Sequence, residues 1–143
     1  MDWKECFEKR IVKEINEDKG FIKSLIKTSD NKLKSEEKLE INDITAASKL
    51  TLAYDSLREL LEALSLKKNF KIYNHECYAA FLKEVMNEKE LGEEFDDIRK
   101  LRNAVNYYGK KISVEEAIDT IKKIKKLRNQ VIKLLYSNKE MED

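Results

Sequence analysis

The scarcity of helix-breaking residues constrains this chain more than any other feature. There is no proline in 143 residues, and the three glycines, Gly20, Gly92 and Gly109, lie far apart. Proline and glycine disfavour a helix interior most strongly, whereas the abundant Lys, Glu, Leu and Ile are compatible with long helices. The sequence therefore predicts an all-α fold. A hydrophobic content of 41% over this length is enough for a single domain with its own core.

Apolar residues recur at steps of three to four along the N-terminal part of the chain. This spacing predicts one long first helix over about residues 2–28, bent near Gly20. The recurring residues are Trp3, Phe7, Ile11, Ile15, Ile22 and Ile26.

The middle of the chain contains two further helix start signals. Residues 29–39 are polar and charged, which predicts a frayed helix end or a mobile connection. Asn42 is predicted to cap a second helix, and the dense apolar stripe over residues 44–64 makes that helix the expected central element. Residues 66–73 are predicted to form a loop whose apolar side chains fold back onto the core, and Asn74 then caps a third helix.

The C-terminal part of the chain predicts two more helices. The fourth covers about residues 91–108, and Gly109 fits a left-handed C-terminal stop. Ser113 and Glu116 have the spacing of a capping box, which predicts the start of a fifth helix. The tail after about residue 137 is predicted to be disordered.

The two cysteines and the single histidine limit the chemistry that the chain can carry. Cys6 and Cys77 are lone thiols in different predicted helices, and with His75 alone they cannot supply the usual ligands of a zinc site. We therefore expect reduced, packing cysteines, no metal and no cofactor. No apolar run approaches the roughly 20 residues of a membrane span, and the N-terminus lacks an apolar signal-peptide core. These features predict a cytoplasmic protein.

Charge is balanced overall but segregated along the chain. The formal net charge is +1, which gives no bulk attraction to nucleic acid. Residues 84–97 contain seven acidic residues and one lysine. Residues 120–133 contain no acid. The pattern fits either two solvated helix faces or a basic strip that meets RNA, an acidic partner or the acidic segment of a second copy. The strip comprises Lys122, Lys123, Lys125, Lys126, Arg128 and Lys133.

Arg102 is a permanently charged residue predicted to face an apolar seam. Helical spacing places it on the same stripe as Leu91, Phe95, Ile98 and Val105, and a guanidinium cannot lose its charge. Either its stem packs while its head extends into solvent, or the arginine has a partner and a function.

Several segments between residues 42 and 135 together resemble the HEPN superfamily of small prokaryotic helical domains. The resemblance implies an up-and-down bundle of four to five helices that commonly forms a two-fold dimer. In that family an arginine, the polar residue beside it and a histidine about five positions later cleave RNA without metal. Members often act as toxins paired with a nucleotidyltransferase antitoxin or in defence systems, and others have lost the catalytic pair. The matching segments are Asn74-His75-Glu76-Cys77, Phe81-Leu82, Phe95, Ile98, Leu101-Arg102-Asn103, Tyr107-Tyr108-Gly109 and Ile112 to Ala117.

The family motif transfers only in part to this sequence. Arg102 matches the arginine and Asn103 the polar residue, but Tyr107 stands where the histidine is expected. A phenol, with an ordinary pKa near 10, is a poor base at pH 7, whereas imidazole suits both proton-transfer steps. His75 is the only imidazole that could replace it, and its position just after Asn74 favours a solvent-exposed histidine without a catalytic role.

The resemblance and the residues together predict a dimeric HEPN-like module that does not catalyse a reaction. Its ligand is expected to be RNA, another phosphate-rich ligand or a toxin–antitoxin or defence partner, such as a nucleotidyltransferase antitoxin. One alternative is a metal-independent endoribonuclease that uses Arg102 with Tyr107 or His75. Another is a purely structural protein–protein interaction module. The residues expected to bind RNA or phosphate are Arg102, Asn103, Asn106, Tyr107, Tyr108, Lys122 and Lys126.

Overall fold

The computed structural model describes residues 1–137, which form six α-helices, one π-helical turn and one two-stranded sheet. Four of the helices are long, so the predicted all-α class is confirmed. Within the described residues, no helix is both long and apolar enough to span a membrane. The elements are α1 (Trp3–Glu8), β1 (Val12–Glu14), α2 (Lys19–Lys38), α3 (Ala46–Lys67), β2 (Phe70–Ile72), α4 (Glu76–Ala80), the π-helical turn (Phe81–Val85), α5 (Lys89–Tyr107) and α6 (Val114–Ser137).

Helix α3 is the centre of the molecule, as its apolar stripe predicts. Helices α2 and α6 both pack along it, while α5 packs mainly on α4 and the π-helical turn. The largest fully buried side chains include Tyr54 and Leu57 of α3, Phe81 of the π-helical turn and Phe95 of α5. The core therefore continues from α3 into the α4–α5 side of the bundle.

The prediction of one long first helix over residues 2–28 is wrong. The segment divides into α1, β1 and α2. Arg10 adopts a left-handed backbone conformation with φ of 59°, which ends the helical path. Val12 then pairs with Ile72 in the antiparallel sheet. The side chain of Asp18 accepts a hydrogen bond from the backbone N–H of Phe21 at 3.0 Å, and this cap starts α2.

Residues 29–39, predicted to be frayed or mobile, form the second half of α2 up to Lys38. Two buried polar side chains in this half, Ser29 and Glu36, contact α3. The Ser29 hydroxyl donates to the Ser56 carbonyl at 2.6 Å, and the Lys49 ammonium lies 3.0 Å from the Glu36 carboxylate. Both Glu36 and Lys49 are buried. The helix is anchored by buried polar pairs, which a search for apolar periodicity does not detect.

The caps predicted for the second and third helices lie slightly before the helices themselves. The Asn42 side chain accepts from the backbone N–H groups of Ile44 and Thr45 at 2.9 and 3.0 Å, and α3 begins at Ala46. These contacts form a turn that leads into α3. Similarly, the Asn74 side chain accepts from the N–H of Glu76 at 2.9 Å. The loop predicted over residues 66–73 contains β2, although its Ile72 is buried in the core as expected.

The boundaries of the last two helices agree with the sequence. Helix α5 ends at Tyr107, and Gly109 has a φ of 68°, the left-handed conformation expected at a helix stop. The N–H of Glu116 donates to the Ser113 hydroxyl at 3.0 Å, which confirms one half of the capping box and the start of α6. The tail predicted to be disordered, residues 138–143, lies outside the described residues.

The expectation of two reduced cysteines is wrong. Cys6 of α1 and Cys77 of α4 form a disulfide, and both residues are fully buried. They are separated by 71 positions, so only the packing of α1 against α4 brings the two sulfurs together. The bond fixes the N-terminal helix to the helix that follows His75.

Gly92 allows α5 to approach α4 closely. A Cβ atom at Gly92 would lie 2.6 Å from Cγ of Lys83 and 2.8 Å from the carbonyl oxygen of Ala79. We expect Gly92→Ala to lower the free energy of unfolding by about 1–3 kcal/mol, because the backbone must move to remove the overlap. Chemical denaturation measures this loss. Gly20→Ala is the matched control, since its added Cβ would meet only Asp18 Oδ1 at 3.5 Å. Equal stability of Gly92→Ala and the native protein would contradict the prediction.

Candidate functional site

Arg102 lies between two tyrosine rings near the end of α5. Its Cζ atom is 5.0 Å from the ring centroid of Tyr54 in α3 and 5.4 Å from that of Tyr107. Both distances are in the range of cation–π contacts. The Arg102 side chain is only 12% exposed, so the guanidinium does not extend into solvent. Helical phase directs this residue toward α3, and Tyr107, at the end of α5, also contacts its guanidinium.

The polar contacts of Arg102 leave part of its hydrogen-bonding capacity unused. Its Nη1 lies 3.1 Å from the Tyr107 hydroxyl and 3.4 Å from Asn103 Oδ1. The nearest carboxylate oxygen, Oδ1 of Asp55, is 3.8 Å from Nη2, beyond a normal hydrogen bond. The buried Nε has no partner within residues 1–137. Nε is closed to solvent, and both hydrogen bonds of Arg102 within residues 1–137 use Nη1, so Nη2 is the group left to bind an anion that approaches the cluster.

Two other arginines lie near this cluster, but each is engaged by a carboxylate. Arg58 of α3 donates to Glu62 at 3.0 Å, and Arg99 of α5 donates to Asp96 at 2.9 Å. Burial alone would raise the pKa of Asp96, but hydrogen bonds from Arg99 and a neighbouring lysine hold it below its ordinary value. Arg102 thus differs from both because its carboxylate neighbour is more distant.

His75 joins the cluster through Tyr54. Its Nδ1 lies 3.0 Å from the Tyr54 hydroxyl. The ring of the same tyrosine contacts the Arg102 guanidinium. The expectation of a solvent-exposed histidine is wrong, because His75 is partly buried. Burial, followed by the positive charges of Arg58, Arg102 and Arg99, lowers the pKa of His75 to about 4. The imidazole is consequently neutral at pH 7.

The depressed pKa of His75 predicts a loss of stability in mild acid. An unfolded histidine binds a proton near pH 6.5, whereas the folded one does so near pH 4. The unfolded state therefore binds more protons between these values, and this contribution to stability, complete above pH 6.5, is lost as the pH falls toward 4. After a discount for partial solvent screening, we expect a loss on the order of 2 kcal/mol.

Denaturation of the native protein and of His75→Gln, each at pH 7 and pH 4.5, checks this expectation. The substitution removes the titrating group but keeps a polar side chain beside Tyr54, so the change in stability with pH should be smaller in the variant. The same pH dependence in both proteins would contradict the assigned pKa.

The structure brings four of the predicted ligand-binding residues to the end of α5 but gives them different environments. Asn103 and Tyr107 contact Arg102. The exposed Asn106 accepts a hydrogen bond from the Thr51 hydroxyl at 3.2 Å, which links α5 to α3. Tyr108 follows the helix and is 83% exposed, and Tyr107 is 67% exposed. Two large aromatic side chains are therefore accessible at the end of α5, and one of them, Tyr107, contacts the guanidinium.

The predicted basic strip on α6 is smaller than its sequence indicates. Arg128 is buried and bonded to Asp30 and Ser29 of α2, and Lys125 lies 3.2 Å from the buried Glu36. Lys122 and Lys126 are exposed. These two lysines belong to α6 and are not part of the Arg102 cluster. They would therefore contribute to binding at the cluster only through long-range electrostatic attraction.

Sequence reasoning missed two members of the site, Tyr54 and Asp55, which contact Arg102. It also missed Arg58 and Arg99, which lie near the site but are engaged by carboxylates. Tyr54 lies on the apolar stripe of α3 and was interpreted as core. The spacing of Arg58 four residues after Tyr54 was a usable signal, because residues four apart share a helical face. Within the described part of the chain, no group of three or more metal-ligating side chains is present.

Neither a protein-family model, nor a curated protein, nor a solved structure matches this chain. The resemblance to the HEPN superfamily therefore stays a prediction from the residues quoted above.

Proposed function

We propose that this chain is a HEPN-like module that binds single-stranded RNA at the Arg102 cluster and does not cleave it. One observation carries the proposal. The Arg102 guanidinium contacts the rings of Tyr54 and Tyr107, and its Nη2 has no carboxylate within hydrogen-bond distance in residues 1–137.

The chemistry of the cluster suits a nucleic-acid strand. A planar guanidinium can donate two parallel hydrogen bonds to a phosphate, and holding it between two rings reduces the conformational freedom that it would lose on binding. The exposed rings of Tyr107 and Tyr108 offer surfaces on which unpaired bases can stack. Arg102 would then fix the backbone while the tyrosines contact the bases.

The same environment supports binding without catalysis. Efficient general acid–base catalysis requires groups whose pKa lies near the working pH. The pKa of His75 is about 4, so its imidazole holds no proton to donate to a leaving group at pH 7. Tyr107 replaces the family histidine, and its hydroxyl contacts Arg102. The cluster thus retains a phosphate clamp without a matched acid and base.

The first test is binding of a labelled single-stranded RNA in the presence of a chelator, followed by fluorescence anisotropy. Arg102→Ala is expected to weaken binding about 10- to 100-fold, because a charge-assisted hydrogen-bond donor is lost. Arg102→Lys should restore only part of the affinity, since an ammonium cannot form the two-pronged contact. Arg99→Ala is the matched control, because Arg99 is already engaged by Asp96.

Three outcomes would contradict this proposal. Equal losses for Arg102→Ala and Arg99→Ala would show that only total charge matters. Cleavage of the RNA by the native protein under chelator would favour the ribonuclease alternative. Unfolding of Arg102→Ala without any RNA binding by the native protein would favour the structural interaction module, which the contacts of Arg102 with Asp55, Asn103 and Tyr107 also allow.

The proposal includes a homodimer and is compatible with a protein partner, such as a nucleotidyltransferase antitoxin. Both follow from the resemblance. The RNA site itself does not require either, because its contacts come from α3 and α5 of one chain.

A further inference from the structure

A groove of about 410 Å³ runs between α5 and α6. It exists because the two helices pack mainly on other elements, α5 on the α4 side of the bundle and α6 on α3. The buried Ile98 and the half-buried Leu101 lie along its apolar floor. Arg102 follows Leu101 in the chain but projects toward Tyr54, so the groove is separate from the RNA site.

The two walls of the groove carry opposite charges. Glu94 and Asp97 form the α5 wall, and Lys123 and Lys126 form the α6 wall. All four side chains belong to exposed residues.

No ion pair joins these walls within residues 1–137, since the ion pairs of α5 and α6 there involve other side chains. The pairs are Arg99 and Lys100 with Asp96, Arg102 with Asp55, Lys110 with Glu116, Lys125 with Glu36 and Glu37, and Arg128 with Asp30.

We propose that a second copy of this chain docks in the α5–α6 groove and forms a two-fold dimer. In a two-fold contact, the same patch is used by both copies, and each residue pair occurs twice. A patch with an acidic wall beside a basic wall is complementary to itself when it is rotated by 180° about an axis that runs along the groove. Glu94 and Asp97 of one copy then face Lys123 and Lys126 of the other, and the contact closes both grooves to solvent.

The charges of the groove disfavour other occupants. A nucleic-acid strand in the groove would lie against Glu94 and Asp97, and a wholly acidic peptide would meet the same repulsion. A wholly basic peptide would be repelled by Lys123 and Lys126. Like charges placed opposite each other at an interface are unfavourable, so the occupant must present both signs in matching order, as a second copy does.

A charge-swap experiment tests the proposal, which rests on the dimer included in the proposed function. Variant one carries Lys123→Glu with Lys126→Glu, so both of its walls are acidic. Variant two carries Glu94→Lys with Asp97→Lys, so both of its walls are basic. By sedimentation equilibrium at tens of micromolar, we expect the native protein to be a dimer and each variant alone to be a monomer, with a Kd raised at least tenfold. An equimolar mixture of the two should form dimers again, because every acidic wall then faces a basic one.

Each contrary result overturns the inference. These results are a monomeric native protein, variants that remain dimeric, and a mixture of monomers that does not associate. Circular dichroism confirms folding, and if a double variant fails to fold, Lys123→Glu and Glu94→Lys give the same comparison. The Arg102→Ala titration reports failure of the RNA site separately, because it involves no groove residue.

Discussion

Lys49→Met is expected to lower the free energy of unfolding by about 3–5 kcal/mol, the range measured when one partner of a buried ion pair is removed. The Lys49 side chain is 9% exposed and that of Glu36 is 3% exposed. The Lys49 ammonium also donates to the backbone carbonyls of Glu36 and Leu39, each at 2.6 Å. Its loss leaves the buried Glu36 carboxylate with Lys125, at 3.2 Å, as its one remaining cation within residues 1–137, and the carbonyls at the end of α2 lose this donor.

Urea denaturation followed by circular dichroism measures this effect. Lys4→Met is the matched control, because the Lys4 side chain is 84% exposed and lies 4.0 Å from Glu8. Exposed pairs of this kind contribute little, so the control should retain native stability within about 0.5 kcal/mol. A loss below about 1 kcal/mol for Lys49→Met would mean that the buried pair does not anchor α2.

Tyr107→His is expected to convert the proposed RNA-binding module into a ribonuclease. The native hydroxyl of Tyr107 lies 3.1 Å from Arg102 Nη1, and the ring is largely exposed. An imidazole at this exposed position would not have its pKa lowered by burial, as His75 does, so only the charge of Arg102 would move it below its ordinary value of about 6.5, and it would still suit proton transfer near neutral pH. We expect metal-independent RNA cleavage about a hundredfold above the native level, within the usual contribution of a general acid or base.

Incubation with single-stranded RNA under chelator, followed by gel analysis, measures this gain. Tyr107→Phe should stay inactive because it adds no titrating group, and the double variant Arg102→Ala with Tyr107→His should lose the new activity. If Tyr107→His binds RNA yet cleaves no more than the native protein, the parallel with the family's Arg and His pair is wrong.

Features with local causes were predictable from the sequence. Gly109 ends α5 because its backbone is left-handed, and Ser113 with Glu116 starts α6 through contacts within three residues. The stripe of α5 likewise placed Arg102 on the buried side of its helix. In each case, the determinant lies within one or two helical turns of the residue concerned.

The other features depend on contacts between distant parts of the chain. Val12 is in a strand because Ile72 pairs with it, and Cys6 is oxidised because α4 brings Cys77 beside it. At the site, the apolar stripe of α3 predicts a core position for Tyr54, but it does not predict that α5 places the Arg102 guanidinium against the Tyr54 ring. The spacing of apolar residues predicts which face of a helix is buried, but it does not predict which polar group will contact that face.

The most direct test of the Arg102 site is NMR of the arginine Nε–H groups during titration with a short single-stranded RNA. The Arg102 resonance is assigned by its absence from the Arg102→Lys variant. The account predicts that this resonance shifts with RNA, because a phosphate bound by the guanidinium changes the electrostatic environment of its Nε, while that of Arg99, which is bonded to Asp96, does not. RNA binding that leaves the Arg102 resonance unchanged would contradict the proposed site.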